Sequence, residues 1–205
     1  MKEHPILFSG EMVKAILEGR KTQTRRIIKP QPDENGVIYM ENPPVLDWEQ
    51  IYNEEWKPYQ YDTLEGESRA VYCPYGNVGD QLWVRETFSF RNECFRGICY
   101  RADSLDVPVE TKAKWKPSIF MPRKASRIQL EIVNIRVERL NNISGVDCIA
   151  EGIDKELCKD YNHDNIFLDE EAAKEYYQEL WEKINGKESW EKNSWTWVIE
   201  FKRIN

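Results

Sequence analysis

The chain has 205 residues, 40% of them hydrophobic, and 29 basic against 36 acidic side chains give a net charge of −7. That length suits one globular domain, residues 1–205, able to bury a core without a metal or disulfide staple. The negative charge excludes a protein that coats nucleic acid through a broad basic surface. With no signal-peptide core and no apolar run near the length of a bilayer span, a cytoplasmic protein without membrane contact is expected.

In chain order, Ser9 is a good helix N-cap, and Met12, Val13, Ile16 and Leu17 form an apolar stripe at helical spacing. Gly19 suits the position just past a helix end, so the first helix is expected over about 10–18. Residues 30–70 are rich in Pro, Asn, Asp, Glu and aromatics without a clear period, and read as a long irregular insertion. Trp48, Tyr52, Trp56, Tyr59 and Tyr61 are expected to pack it down. Strands are expected at 81–87, after the Gly79-Asp80 turn, and at 97–102. A long alternating segment, 127–140, places Ile128, Leu130 and Ile132 on one face, then Ile135 and Val137 after a register break. Ser144 caps a short helix ending near Gly152. Asp169 caps a longer one ending near Gly186, with Ala173, Tyr176, Tyr177, Leu180, Trp181 and Ile184 as a core stripe. The final strand is expected over 196–204. One opening helix, several strands and two late helices predict an α+β domain: a small, mostly-β barrel with flanking helices and the long insertion.

The basic charge is local. Residues 20–29 hold Arg20, Lys21, Arg25, Arg26 and Lys29 without an acid, and 111–127 hold Lys112, Lys114, Lys116, Arg123, Lys124 and Arg127, again without one. If folding joined the two segments they would form an anionic-ligand cleft; otherwise each is a solvated face. Residues 33–67 carry ten acids and one lysine. This acidic, aromatic segment is the natural contact for a protein partner.

Few residues offer chemistry. Neither common nucleotide loop is present, and the two histidines, His4 and His163, sit near a chain end and in a polar turn. The five cysteines are odd in number, irregularly spaced and expected to be reduced and mostly buried. A zinc set of Cys94, Cys99, Cys158 and His163 can be drawn, but no Cys-x-x-Cys pair supports it, so neither metal nor cofactor is expected. Lys21 and Thr24 remain. A threonine hydroxyl needs a base, and a neutral lysine can serve if burial or neighbouring cations lower its pKa. On a regular strand, residues three apart face opposite ways, so a bend after Gly19 is required for the two to cooperate. From the residues alone, catalysis, anion binding and a solvated helix end all stay open for the GRKTQTRR segment.

That segment resembles the signature of the ASCH domain family, Gly-x-Lys-x-x-Glu-x-Arg after the first helix. Gly19, Lys21 and Arg26 match it, with Thr24 where the general pattern has Glu. The resemblance implies a PUA-like barrel. A bacterial branch, the N4-acetylcytidine amidohydrolases, is similar in having threonine there, with a later glutamate in a short helix after the long strand; Glu151 in DCIAEGI is the corresponding candidate. The resemblance covers roughly 5–28, 79–87, 127–153 and 196–203. The runs CPYGNVGDQLWVRETF and KWKPSIFMPRKASRI look more like longer ASCH-like proteins of phages and prophages. It implies Lys21, Thr24 and Glu151 as catalytic residues acting on an acylated pyrimidine nucleoside, with Arg26 or backbone N–H groups holding the oxyanion. The alternative is a non-catalytic RNA-binding module or phage accessory protein. There Arg20, Arg25, Arg26, Lys116, Arg123 and Arg127 would hold the ligand's phosphates, and Trp83, Trp115 and Phe120 would stack bases.

Overall fold

The computed structural model describes residues 1–31, 39–40, 59–62, 68–90, 97–104, 114–162 and 165–204. Strand β1 (Glu3–Leu7) leads into helix α1 (Gly10–Leu17). The Ser9 side chain accepts the Met12 N–H, satisfying one of the donors a helix start leaves unpaired. Val13 and Ile16 of the expected stripe are buried, with Met12 and Leu17 packed against the same core. Strands β2 (Gln23–Ile27), β3 (Tyr39–Met40), β4 (Tyr59–Asp62), β5 (Ser68–Val71), β6 (Gln81–Arg85), β7 (Phe88–Phe90), β8 (Ile98–Tyr100) and β9 (Gln129–Arg139) follow. Helix α2 (Gly145–Ala150) is capped by Ser144, whose side chain accepts the Asp147 N–H. The hairpin β10 (Lys159–Asn162) and β11 (Asn165–Leu168) precedes α3 (Glu170–Asn185), and β12 (Trp195–Arg203) closes the order.

The fold is α+β with a mostly-sheet core. Five strands form the main sheet in the order β1-β6-β9-β12-β2. Only β1 and β6 run parallel; each later neighbour is antiparallel. Between Glu200 and Phe201 the β9–β12 register slips by one residue, leaving Val133 without a partner. This is the break the hydrophobic pattern placed between Ile132 and Ile135, because a bulge shifts a period-2 pattern to the other face. The edges are β1 and β2, and among the described strands no ladder joins them. One side chain does cross that gap: Arg26 Nη2 donates to the Leu7 carbonyl at 2.6 Å.

Two apolar clusters flank the sheet. Ile6, Leu82, Leu130, Ile132, Trp197 and Ile199 pack with α1, while Leu140, Ile143, Cys148, Ala173, Tyr177 and Trp181 gather α2 and α3. Each fully buried aliphatic side chain contributes roughly 1.5–3 kcal/mol, so burial in these clusters holds the helices in place.

Three expectations change. The 30–70 insertion is not wholly irregular: β3, β4 and β5 form a small antiparallel sheet. In YQYD, residues 59–62, aromatics alternate with polar residues at strand period, a local signal that the Pro- and Asp-rich surroundings masked. Trp48, Tyr52, Trp56 and most of the 33–67 segment lie outside the described residues. The 97–102 strand stops at Tyr100, where Arg101–Ser104 turns into a 3₁₀ helix. Finally, Cys99 is disulfide-bonded, while Cys73, Cys148 and Cys158 are free thiols. The expectation of reduced cysteines therefore fails at Cys99; Cys94 and His163 lie outside the described residues. Among the described residues, no helix is long and apolar enough to cross a membrane.

Candidate active site between β2, α2 and α3

The site begins with how α1 ends. Gly19 has φ +75°, a left-handed conformation that favours glycine, and the N–H groups of Arg20 and Lys21 both donate to the Ala15 carbonyl. The Thr22 N–H then donates to Ala150 of α2, and its carbonyl accepts the Phe201 N–H of β12. Only at Gln23 does the chain settle into β2. Lys21 therefore lies in the turn and not on the strand, so the alternation of strand faces does not fix its direction relative to Thr24.

Lys21 is driven inward. Its side chain has no exposed surface, and Nζ donates to the Glu151 backbone carbonyl at 2.6 Å and to Glu151 Oε2 at 2.9 Å. Burial pushes its ammonium below lysine's usual 10.5; Glu151 opposes the shift, and the charges of Arg26 and Arg25 add to it. Glu151 is the C-cap of α2, and the following Gly152 has φ +103°. A Cβ on Gly152 would meet Ala15 and Lys21 Cβ at 3.2 Å, so glycine lets the lysine stem run beneath the backbone.

Thr24 and Glu151 line one cavity of about 250 Å³, together with Arg25, Arg26, Lys29, Tyr75, Tyr177, Trp181 and neighbouring aliphatics. Lys21 stands behind that wall, joined to it through Glu151. A second cavity of about 200 Å³ shares Met12, Glu151 and Leu180 with the first.

The predicted cations divide by role. Arg25 has a fully buried side chain, donates to Glu138 at 2.8 Å and Asp147 at 2.9 Å, and lies 3.5 Å from Glu151 Oε1. Arg136 extends this network to Glu138, Asp147 and Glu200. Arg25 thus fixes carboxylates and is not a free clamp. Arg26 stacks over the Phe8 ring at 5.3 Å, and Lys21 Nζ lies 5.6 Å from the same centroid. Arg20 ties Glu18 to the Gly152 carbonyl, which pins the end of α2, and does not line the cavity. Lys116 lies over Phe90, Arg123 chelates Glu3, and Arg127 binds both Glu86 and Asp103. None of the three lines the cavity, so the second basic segment does not join the first there. Of the stacking candidates, Phe120 is 69% exposed, Trp83 is partly buried between Arg85 and Arg123, and Trp115 lies under Arg101.

Two cavity residues escaped sequence reasoning. Tyr177 and Trp181 sit on the α3 stripe, and apolar periodicity cannot tell a core face from a cavity wall. Burial, then the Glu151 charge, holds the Tyr177 hydroxyl well above its usual 10, so it stays protonated. The polar bookkeeping is unusual as well. Among the described residues, eight buried side-chain polar atoms lack a hydrogen-bond partner, and four of them (Arg25 Nε, Arg26 Nε, Glu151 Oε1 and Trp181 Nε1) belong to residues around this one cavity. Each such atom costs about 1–3 kcal/mol where nothing satisfies it, so this corner of the fold is less well satisfied than the rest of the described core. Compared with protein-family models, curated proteins and solved structures, the chain finds no match in any of the three.

Proposed function

We propose that the protein is an amidohydrolase of an acylated pyrimidine nucleoside, built on a PUA-like barrel whose seam lies between β1 and β2. The observation that carries this reading is the buried Lys21–Glu151 pair, 2.9 Å apart, behind a cavity that Thr24 lines. The sequence resemblance supplies the reaction class, and the Arg26 bridge to Leu7 supports the seam.

In this mechanism the neutral Lys21 amine takes the Thr24 hydroxyl proton, and Oγ1 attacks the acyl carbonyl. Negative charge collects on the carbonyl oxygen, where Arg26 and nearby N–H groups stabilise it. The tetrahedral intermediate collapses with cleavage of the C–N bond, and the Lys21–Glu151 pair returns the proton to the departing exocyclic amine. Water then adds to the acyl-threonine ester, giving its proton to the same pair. Collapse of the second tetrahedral intermediate breaks the bond to Thr24 Oγ1, the pair returns its proton to that oxygen, and the carboxylic acid leaves.

The test is turnover of N4-acetylcytidine by the wild type, Lys21→Ala and Thr24→Ala. Each substitution is expected to lower kcat by about 10³-fold or more, as loss of a member of a nucleophile–base set does. Turnover left unchanged by both substitutions removes the mechanism.

A further inference from the structure

The charges around the cavity do not balance. Among the described residues that line it, Glu151 is the one acid, set against Arg25, Arg26 and Lys29. Glu151 is held by Lys21 at 2.9 Å and lies 3.5 Å from Arg25, whose guanidinium also meets Glu138 and Asp147. These charges offset one another. Arg26 has only neutral contacts, the Leu7 carbonyl and the Phe8 ring, and its charge acts on both Lys21 and Tyr177. Lys29 is exposed, so it stands where the cavity meets solvent, and it has no carboxylate partner among the described residues. The mechanism above uses Arg26 and leaves Lys29 unused.

The backbone that carries Lys29 is pinned. The Ile28 N–H donates to the Trp195 carbonyl at 3.0 Å, and Gln31 Nε2 donates to the Ile28 and Trp195 carbonyls at 2.7 and 2.9 Å. Gln31 Oε1 in turn accepts the Trp195 N–H at 2.8 Å. The root of the lysine is therefore fixed against β12, while its ammonium ends a flexible stem. A cleft with an excess of one charge draws a ligand of the opposite sign. The base and ribose of a pyrimidine nucleoside are neutral at neutral pH, so the anion is a substituent on them, and in a nucleotide that substituent is a phosphate ester. We propose that Lys29 holds a phosphate ester of the substrate, so that the site takes a pyrimidine nucleotide in preference to the free nucleoside. This rests on the nucleoside reading above and adds the charged group that the ligand presents at the opening of the cavity.

The experiment measures binding of cytidine, cytidine 5′-monophosphate and the trinucleotide CpCpC by calorimetry to the wild type, Lys29→Gln and Lys124→Gln. Lys29→Gln removes the charge at an exposed position; Lys124 is an exposed lysine outside the cavity wall. The wild type is expected to bind the monophosphate about tenfold tighter than cytidine, and Lys29→Gln to lose that preference, as loss of one charge-assisted contact does. Lys124→Gln should keep it, and added KCl should weaken the monophosphate while leaving cytidine unchanged. Tighter binding of CpCpC than of the monophosphate places the recognised phosphate in a strand, and the reverse order places it on a mononucleotide; either order, with the loss in Lys29→Gln, supports the contact. Equal affinities for cytidine and its monophosphate, a preference that survives Lys29→Gln or is lost equally in Lys124→Gln, or a wild type that binds none of the probes overturns the proposal. A wild type that shows the preference but hydrolyses neither N4-acetylcytidine nor its 5′-monophosphate sinks the hydrolase reading and leaves this assignment standing. Turnover of N4-acetylcytidine without any phosphate preference does the opposite.

Discussion

Lys21 shows what one side chain gains and loses by burial. Desolvation disfavours its ammonium, and Glu151 only partly compensates, so its pKa lies below 10.5. Between the folded and unfolded values, only the unfolded chain keeps this proton. Stability contributed at Lys21 therefore rises as pH climbs through the folded pKa, the reverse of a lysine that gains a strong partner. In the proposed mechanism the same shift would set an activity limb: kcat/KM should rise with pH along a step centred below 10.5, and Lys21→Arg should abolish the step. A pH–rate profile that is flat below 10.5 in the wild type contradicts this assignment. Tyr177 belongs at the same scale. Tyr177 lines the cavity with Thr24 and Glu151, and in the proposed mechanism its protonated hydroxyl would donate to the developing oxyanion. Tyr177→Phe should lower kcat by about 10²-fold with little change in KM, the pattern of a contact made in the transition state.

At the scale of elements, the site is a junction of ends. The turn after α1 supplies Lys21, the start of β2 supplies Thr24 to Arg26, the C-cap of α2 supplies Glu151, and the middle of α3 supplies Tyr177 and Trp181. Gly152 matters to the junction, because its φ of +103° strains any other residue and an added Cβ would crowd Ala15 and Lys21 at 3.2 Å. Gly152→Ala should destabilise the fold by about 1–3 kcal/mol in urea titration. It should also reduce activity at temperatures where the variant remains folded, since Lys21 must shift. Folding unaltered by this substitution would show that the lysine stem does not depend on the glycine. Local signals made these elements readable: the Ser9, Ser144 and Asp169 caps, Gly19 past a helix end, and the slip in hydrophobic period at Val133 all carry short-range meaning. The β3-β4-β5 sheet was harder to read, because the four-residue alternation of YQYD is too short to stand out from its Pro- and Asp-rich surroundings.

Across the whole molecule, charge is arranged against the sequence's simplest reading. Among the described residues, the two basic segments do not meet at the cavity; Arg25, Arg123 and Arg127 are each paired with carboxylates from elsewhere in the chain. Acid stability follows from such pairs, with a sign that differs between them. Burial works against the Asp147 carboxylate, but Arg25 and Arg136 outweigh it and hold its pKa below the usual 3.8. Its contribution is present above that value and is lost as pH falls through the folded pKa. Glu86 runs the other way: burial raises it above 4.5 despite Arg127, so its strain is relieved as pH falls through its folded pKa. Urea titrations at neutral pH and below pH 3.8 should show a smaller acid-induced loss in Asp147→Asn than in the wild type. An equal loss would mean that the Arg25–Arg136 network does not set the acid limb.

By itself, the sequence determined which segments become helices and long strands and where the caps fall. Periodicity, capping and backbone freedom act over a few residues, so they are written locally. Only the tertiary structure decided that Lys21 and Glu151, 130 positions apart, meet at 2.9 Å, that Arg123 and Arg127 are neutralised elsewhere, and that part of an apolar stripe on α3 faces a cavity. Those outcomes depend on how the folded chain brings distant segments together, and no local pattern encodes such a distance.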